Sequence, residues 1–321
     1  MNAPAATVLS VRNLRKVYPG KKPYTAVDGI SFDLQEGEIL GLLGANGAGK
    51  TTTIQMLMST LKPTSGEIVY FNKSLFRHRS EILKSVVFAS TYVSLPFMLT
   101  IEQNLEVFGR LYGVPIAELR TRIDILLKRF GIENKKKSMV SQLSAGQITR
   151  LMLVKAFMVR PKIVLLDEPT ASLDPDIAKD VVQFVLQQRD EFGISILFTS
   201  HKMAEVAEIC DRVLFLQNGK IIADDVPDAL AASVGASRVQ LLLGDGMKRT
   251  VIIAEKLKLP YTIDHRTIEL SLDEKQIAKL LSALAVAGVT YTDIDIQRPT
   301  LENYFLHMVE KGRGKRPEKS S

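Results

Sequence analysis

The chain contains, near its N-terminus, the segment Gly44-Ala45-Asn46-Gly47-Ala48-Gly49-Lys50-Thr51, with Thr52 directly after it. The apolar run from Ile39 to Leu43 predicts a buried parallel strand before it, and a helix is predicted to begin near Lys50. Glycines between a strand and a helix let backbone N–H groups converge on phosphates at the positive end of the helix. The pattern Gly, four residues, Gly-Lys-Thr therefore predicts a nucleotide triphosphate site. Its candidate contacts are Gly44, Asn46, Gly47, Ala48, Gly49, Lys50, Thr51 and Thr52.

A second aliphatic run, Ile163 to Leu166, ends in the acidic pair Asp167-Glu168. Continuous aliphatic sequence is expected of a strand that is covered on both faces of a parallel sheet. Open α/β sheets place their ligands at the carboxyl ends of such strands. Together with the phosphate loop, this pair predicts a Mg²⁺ site held by the Thr51 hydroxyl and Asp167, with Lys50 facing the β- and γ-phosphates. Glu168 is the candidate to orient or deprotonate the attacking water.

A third core strand is predicted from Ile194 to Thr199, and Ser200-His201 follows it directly. A histidine at this end of a neighbouring strand is placed to touch the γ-phosphate and to position the water. A surface histidine near a helix start is the alternative, and the surrounding motifs favour the catalytic interpretation.

About a hundred residues after the phosphate loop lies the segment Leu143-Ser144-Ala145-Gly146-Gln147. It resembles the signature motif of the nucleotide-binding subunits of ATP-binding-cassette (ABC) transporters, with alanine at its third position where glycine is commoner. Ala171-Ser172-Leu173-Asp174 resembles the D-loop of that family, and His201 is similar to its switch histidine. Tyr18 matches the family's aromatic that stacks on adenine, and an ordinary tyrosine at an apolar edge is the alternative.

The resemblance implies an α/β fold, namely a P-loop NTPase cassette. Such a cassette has a parallel core sheet, an N-terminal antiparallel β region and an inserted helical subdomain. We assign the cassette to residues 8–232 and the helical subdomain to about 95–160. The resemblance also implies two cassettes that sandwich two ATP molecules head-to-tail, in a homodimer or in a pair with a related cassette. The residues that would face the partner's nucleotide are Ser144, Gly146 and Gln147, and Asp174 of the D-loop segment is a further candidate nucleotide contact.

One position departs from the family pattern. ABC cassettes normally carry a glutamine at the end of the strand before the helical subdomain, where it touches Mg²⁺ and water. That position falls near Thr91, and no glutamine is present there. Gln103 lies too far along the chain, on the following helix. A hydroxyl of Ser90 or Thr91 is the available substitute.

The sequence pattern changes after about Leu230, and we assign residues 237–310 to a small α+β domain. Strands are predicted at Val239–Leu243, Thr250–Ile253 and Ile268–Leu272, and further segments follow helical or strand spacing. The segment from Asp295 to Phe305 resembles the C-terminal extension of ATPases from bacterial drug, antibiotic and polysaccharide exporters. We interpret the domain as a dimerisation or regulatory module, followed by a basic, disordered tail at 311–321.

The composition of the 321 residues fits one large α/β domain with a small appendage. A single cysteine, Cys210, suits a reducing cytosol, and no apolar run is long enough to span a bilayer. The net charge of +7 comes from basic residues that are dispersed, except at Lys135–Lys137 and in the tail from Lys311 to Arg316. No aromatic stacking platform accompanies them, so we expect no specific nucleic-acid partner. A location on the cytoplasmic face of the inner or plasma membrane, beside anionic lipid, explains this charge equally well. A solvated loop and a disordered tail are the favoured explanation of the two basic clusters.

The favoured function is an ATP-hydrolysing subunit that works beneath a separate integral-membrane permease of an exporter. The apolar residues between Tyr92 and Phe97 fit a permease-docking surface, and ordinary subdomain core explains them equally well. A soluble ABC ATPase acting on ribosomes or DNA is one alternative, although the chain has one P-loop, no heptad run and no cysteine pairs. A non-hydrolysing cassette is another, and Glu168 and His201 argue against it.

Overall fold

The computed structural model describes residues 6–90, 95–171 and 173–313 of the chain. The chain divides between Pro227 and Asp228 into two compact units, Met1–Pro227 and Asp228–Ser321. Each unit has its own sheet structure and its own hydrophobic core.

The described part of the first unit contains ten strands. They are β1 (Thr7–Tyr18), β2 (Tyr24–Gln35), β3 (Ile39–Gly44), β4 (Ser65–Tyr70), β5 (Lys73–Ser74), β6 (Val86–Ser90), β7 (Ile163–Asp167), β8 (Ser195–Thr199), β9 (Arg212–Gln217) and β10 (Lys220–Asp225).

Two sheets are built from these strands. One is antiparallel with the order β2-β1-β4-β5, and the other is the core sheet with the order β10-β9-β3-β8-β7-β6. All neighbours in the core sheet are parallel except β9 and β10, which form a hairpin. Asn218 and Gly219 in its turn have φ of 49° and 77°, the positive values that a type I′ turn requires. The predicted α/β cassette fold, with a parallel core sheet and an N-terminal antiparallel region, is confirmed.

The burial of the core strands accounts for their continuous aliphatic sequences. Every residue of β3, β7 and β8 is buried, as expected of aliphatic runs covered on both faces. The parallel arrangement brings the carboxyl ends of these strands to the same edge of the sheet, where the segments singled out by the sequence begin.

Seven α-helices lie in the described part of the first unit. They are α1 (Lys50–Leu57), α2 (Arg79–Ile82), α3 (Ile101–Leu111), α4 (Ile116–Arg129), α5 (Ala145–Phe157), α6 (Pro175–Phe192) and α7 (Met203–Ile209). Helices α3, α4 and α5 are inserted between β6 and β7, as the family resemblance implies for the helical subdomain. Helix α3 begins with a capping box between Thr100 and Gln103, so the side chain of Gln103 stabilises a helix start.

The second unit contains one antiparallel sheet with the order β12-β13-β11-β14. Its elements in chain order are α8 (Pro227–Ala232), which begins at the division, β11 (Ser237–Asp245), α9 (Met247–Lys256), β12 (Tyr261–Asp264), β13 (Thr267–Leu272), α10 (Glu274–Val286), β14 (Thr290–Gln297) and α11 (Leu301–Arg313). Alternate residues of β11 and β13 are buried and pack with apolar residues of α9 and α10.

Two sequence predictions for this unit are wrong. Thr250–Ile253 lies in helix α9 rather than in a strand, because Gly246 at φ 97° starts a helix whose buried positions, Thr250 and Ala254, are spaced by one turn. The β-branched residues of this segment suggested a strand, and the tertiary packing overrides that propensity. Helix α11 extends to Arg313, so residues 311–313 are helical rather than part of a disordered tail. Residues 314–321 lie outside the described part of the chain.

Candidate functional site

The phosphate loop connects β3 to α1 and depends on glycine at two positions. Gly44 has φ 148°, and a Cβ atom there would lie 2.3 Å from the carbonyl oxygen of Leu216. Gly49 has φ 111°, and a Cβ atom there would lie 2.5 Å from the carbonyl oxygen of Ala26. Both the backbone conformation and the close approach of neighbouring carbonyls therefore exclude larger residues.

The N-terminus of α1 is arranged to receive an anion. Its N-cap is Gly49, which supplies no side-chain cap, and its first turn contains no acidic residue. The first N–H groups of a helix have no partner within the helix, and they carry the positive end of its dipole. Negative charge at this end of α1 is therefore stabilised.

Lys50 lies at the start of α1 with its amine folded back on the loop. Its Nζ donates hydrogen bonds to the carbonyl oxygens of Gly44, at 2.6 Å, and of Ala45, at 3.4 Å. Burial lowers the pKa of Lys50, and the nearby carboxylates of Glu168 and Asp167 act in the opposite direction. A bound phosphate would offer this amine an anionic acceptor in place of the two carbonyl oxygens.

Asp167 is held at the end of β7 by its neighbours on both sides in the sheet. Ser90 on β6 and Thr199 on β8 are its register partners. The Thr199 hydroxyl donates to Asp167 Oδ1 at 2.7 Å, and the Ser90 hydroxyl donates to Oδ2 at 3.4 Å. The buried carboxylate is thus oriented by two hydroxyl groups, and each of its oxygens keeps further acceptor capacity.

Glu168 has an unusual backbone conformation. Its φ is 54°, a left-handed value that costs a non-glycine residue about 1–2 kcal/mol. The Glu168 N–H donates to the carbonyl and hydroxyl oxygens of Thr199, each at 3.2 Å. Such strain is typical of functional sites whose surroundings hold the residue in place.

The Glu168 carboxylate is buried beside His201. The backbone N–H of His201 donates to Glu168 Oε2 at 3.2 Å. The imidazole Nε2 lies 3.2 Å from Oε1, but this contact lacks hydrogen-bond geometry and leaves Oε1 buried without a partner. Burial raises the pKa of Glu168, partly offset by His201. A carboxylate with a raised pKa and a free oxygen is suited to accept a proton.

A cavity of about 630 Å³ connects these groups. Among the residues predicted from sequence, those that line it are Tyr18, Asn46, Gly47, Ala48, Gly49, Lys50, Thr51, Thr52, Asp167, Glu168 and His201. Its volume lies within the range of about 300–1,000 Å³ that is typical of small-molecule sites. The structure therefore places the phosphate loop, the acidic pair and the histidine around one space.

The signature and D-loop residues do not line this cavity. Ser144 is the N-cap of α5, and its hydroxyl accepts from the Gln147 N–H at 3.3 Å while Gln147 Oε1 accepts from the Ser144 N–H at 3.0 Å. This capping box engages Ser144 and Gln147 with each other, and Gly146 lies in the same first turn. Asp174 is the N-cap of α6 and makes no side-chain capping bond. Ser172 of the D-loop segment lies outside the described residues.

The sequence interpretation missed Tyr24, which lines the cavity together with Tyr18. These two residues are register partners on β1 and β2, so their side chains lie on the same face of the sheet. The Tyr24 hydroxyl donates to the carbonyl oxygen of Gly47 at 3.4 Å. The available signal was the short hairpin loop between the two tyrosines. Ser90 and Phe88 on β6 also line the cavity, whereas Thr91, the position of the missing glutamine, lies outside the described residues together with Tyr92, Val93 and Ser94.

The donor set fits Mg²⁺ and a nucleotide triphosphate. Mg²⁺ prefers oxygen ligands and is usually held by one or two protein groups together with phosphates and waters. Thr51 and Asp167 provide a hydroxyl and a carboxylate in the lining of the same cavity as the phosphate loop. The uncapped helix start and Lys50 provide positive charge for phosphates.

A family model described as ABC transporter matches residues 27–171 of the chain. The linearmycin resistance ATP-binding protein LnrL of Bacillus subtilis (strain 168) is 30% identical over 308 residues, which cover 94% of this chain and 98% of that protein. The chain therefore belongs to the ABC transporter family, as an ATP-binding subunit and an ABC ATPase.

Two further proteins are similar over most of their length. The daunorubicin resistance ATP-binding protein DrrA3 of Streptomyces coeruleorubidus is 30% identical over 316 residues, covering 96% of this chain and 98% of that protein. A solved ATP-binding subunit of an ABC transporter is 28% identical with a TM-score of 0.66, covering 71% of this chain and 93% of that chain. Among the described residues, no helix has the length and apolar character that crossing a membrane requires.

Proposed function

We propose that this chain hydrolyses ATP to drive a membrane exporter of antibiotic-like compounds, bound to a separate permease at the cytoplasmic face of the membrane. The observation that carries the hydrolytic part is the single cavity shared by Lys50, Thr51, Asp167, Glu168 and His201. The export part is supported by LnrL and DrrA3, which are named for resistance to linearmycin and daunorubicin and match almost the whole chain.

Each side chain has a defined task in this proposal. Lys50 exchanges its carbonyl partners for the β- and γ-phosphates, and the Thr51 hydroxyl and Asp167 hold Mg²⁺. When bound there, Mg²⁺ would supply positive charge against the negative charge that develops on the phosphates. Tyr18 stacks on the adenine ring, for which an exposed aromatic at the cavity wall is suited.

Glu168 acts as the general base. Its free Oε1 receives the proton of the attacking water, and its raised pKa brings it closer to the operating pH. His201 holds the Glu168 carboxylate through its backbone N–H and presents a half-exposed imidazole to the same cavity. A histidine in this position is suited to contact the γ-phosphate and to orient the water.

We infer that a working unit contains two cassettes, either two copies of this chain or one copy and a related one. Ser144, Gly146, Gln147 and Asp174 lie outside the cavity of their own chain, and they stand at the N-termini of two helices. Helix N-termini favour anions, so Ser144, Gly146 and Gln147 are suited to meet the phosphates bound by the partner cassette. The carboxylate of Asp174 is suited to accept a hydrogen bond from the partner cassette instead. Each copy then contributes to two sites, as in a symmetric dimer.

The substitution Glu168→Gln tests the hydrolytic assignment. It keeps the shape of the side chain and removes the base, so we expect ATP affinity to stay within about 3-fold and turnover to fall by at least about 100-fold. Light scattering with ATP should show a dimer that persists. The matched variant Glu208→Gln, on the exposed face of α7 and outside the cavity, should keep full turnover.

Steady ATP hydrolysis by Glu168→Gln would refute the role of Glu168 as base. The export assignment is tested separately, by affinity capture of the tagged chain from detergent-solubilised membranes of its own cell. Recovery of an integral-membrane protein supports the proposal, and capture of ribosomal proteins or DNA instead would replace it by the soluble alternative.

A further inference from the structure

A second cavity lies between helices α4 and α6, away from the nucleotide site. Its volume is about 200 Å³. A dry engineered cavity of about 150 Å³ binds benzene, so this space accommodates one aromatic ring or one short acyl chain. The floor is formed by Phe157 and Phe184, whose rings meet edge-on with centroids 5.1 Å apart. Ile125 and Phe192, both exposed, add apolar surface to its lining.

Positive charge dominates the polar part of this lining. Arg122, Arg129 and Arg160 all line the cavity, and Glu191 is its one carboxylate. Glu191 accepts a hydrogen bond from Gln187, which also lines the cavity. An anionic group is therefore the complementary partner for this site.

The three arginines are incompletely satisfied within the described part of the chain. Arg122 donates to the Met158 carbonyl oxygen and pairs with Glu118, but its Nε is buried without a partner. The Arg160 guanidinium lies 4.6 Å from the centroid of the Phe192 ring and has no carboxylate partner there. Arg129, which is exposed, makes neither an ion pair nor a hydrogen bond through its side chain within the same described ranges.

Gln188 adds a polar group to this lining. The residue is only 7% exposed, and in residues 6–90, 95–171 and 173–313 its side-chain amide makes no hydrogen bond. Solvent still reaches the amide atoms, which are not among the buried polar atoms without a partner. A polar group of a bound molecule can therefore take the place of solvent at this amide.

We propose that this cavity binds a small anionic amphiphile, namely a carboxylic acid with a short aliphatic or aromatic body. The apolar body lies on Phe157 and Phe184, and the carboxylate meets the guanidinium of Arg129 and the amide of Gln188. Such a molecule bridges α4 to α6 and stabilises their contact. A free monomeric acid fits better than a lipid in a bilayer, because the cavity holds one short chain.

The test uses octanoate, with octanol and octyltrimethylammonium as neutral and cationic probes of the same chain length. Titration of the full-length protein is followed by saturation-transfer NMR and by the shift in melting temperature. We expect octanoate to bind at least 5-fold more tightly than either control probe. Arg129→Glu and Gln188→Leu should each weaken octanoate binding at least 5-fold. Lys128→Glu makes the same charge change on the exposed adjacent position of α4 that does not line the cavity, and it should change affinity less than 2-fold.

Three outcomes would overturn the proposal. Equal weakening by Arg129→Glu and Lys128→Glu would show a general electrostatic effect instead of a site. Equal binding of all three probes would show apolar adsorption. The third outcome is a protein that does not bind octanoate but sediments with phosphatidylglycerol vesicles, and whose sedimentation Arg129→Glu abolishes. That result would assign these arginines to the membrane surface. Circular dichroism of each variant reports its folding, and Gln188→Leu keeps the volume and burial of the native side chain. None of these readouts depends on ATP hydrolysis.

Discussion

Lys155 is a buried amine whose replacement should stabilise the protein by a measurable amount. It lies on α5 at 6% exposure, and its Nζ is 4.6 Å from the centroid of the Phe108 ring. Within the described residues it has no carboxylate partner. Burial lowers the pKa of Lys155 from 10.5 to about 8. At about 1.4 kcal/mol per pKa unit, burying this charge costs about 3 kcal/mol at neutral pH.

Lys155→Met removes that cost and keeps an unbranched side chain against the Phe108 ring. The loss of the cation–π contact cancels about 1 kcal/mol of this gain in stability. We therefore expect the free energy of unfolding to rise by about 2 kcal/mol at pH 7. The direction of the pH dependence follows from the pKa. The charged form is disfavoured in the folded state, so the wild type gains stability as pH rises from about 8 to 10.5. The advantage of methionine is therefore full below pH 8 and shrinks above it.

The assay is urea unfolding followed by circular dichroism at pH 7 and at pH 9.5. Lys162→Met is the matched control, because Lys162 is exposed and lies 5.2 Å from the centroid of the Phe71 ring. It should change stability by less than about 0.5 kcal/mol at either pH, as is usual for surface substitutions. A Lys155→Met protein no more stable than wild type at pH 7, or equally stabilised at both pH values, would refute the reasoning.

Three further predictions concern the nucleotide site. Lys50→Ala should weaken ATP binding by about 10- to 100-fold, because a hydrogen bond to a charged group contributes about 1.5–3 kcal/mol; an unchanged affinity in a fluorescent-nucleotide titration would contradict its role. Tyr18→Ala should weaken ATP by about 5- to 100-fold and leave inorganic triphosphate unaffected, because stacking on a base contributes about 1–3 kcal/mol; equal loss for both ligands in a competition titration would argue against stacking. Thr91→Gln should lower the Mg²⁺ concentration that gives half-maximal ATPase rate, because an amide oxygen reaches further than a hydroxyl; superimposed Mg²⁺ curves would show that this position does not serve the metal.

Much of the first unit could be predicted because its signals are local. The runs that became β3, β7 and β8 are continuous aliphatic segments, and such segments in a parallel sheet are buried on both faces. Parallel strands bring their carboxyl ends together, so the phosphate loop and the acidic pair were expected to meet. The shared cavity includes both.

Other features depend on contacts that are distant in sequence. Tyr24 reaches the cavity through its pairing with Tyr18, which depends on the register of a hairpin. The β-branched residues around Thr250 favour a strand. Thr250 is nevertheless buried in a helix, because α9 packs against the sheet of the second unit. Periodicity over so short a segment did not separate the two possibilities.

The left-handed backbone of Glu168 shows why the site itself resists prediction from local preference. Sequence propensity favours extended backbone after an aliphatic strand, yet Thr199 on the neighbouring strand captures the Glu168 N–H with two oxygens. The resulting φ of 54° is unfavourable for glutamate, and the side chain is also buried with one oxygen unpaired. The strained backbone and the unpaired oxygen both belong to Glu168, the carboxylate assigned as base. Burial raises the pKa of Glu168 and lowers the pKa of the nearby Lys50. Departures from local conformational preference concentrate at functional sites, because the chemistry there requires groups in unfavourable environments. The unfavourable backbone and burial of Glu168 thus indicate the same residue as the order of the sequence motifs does. This indication does not depend on any family resemblance.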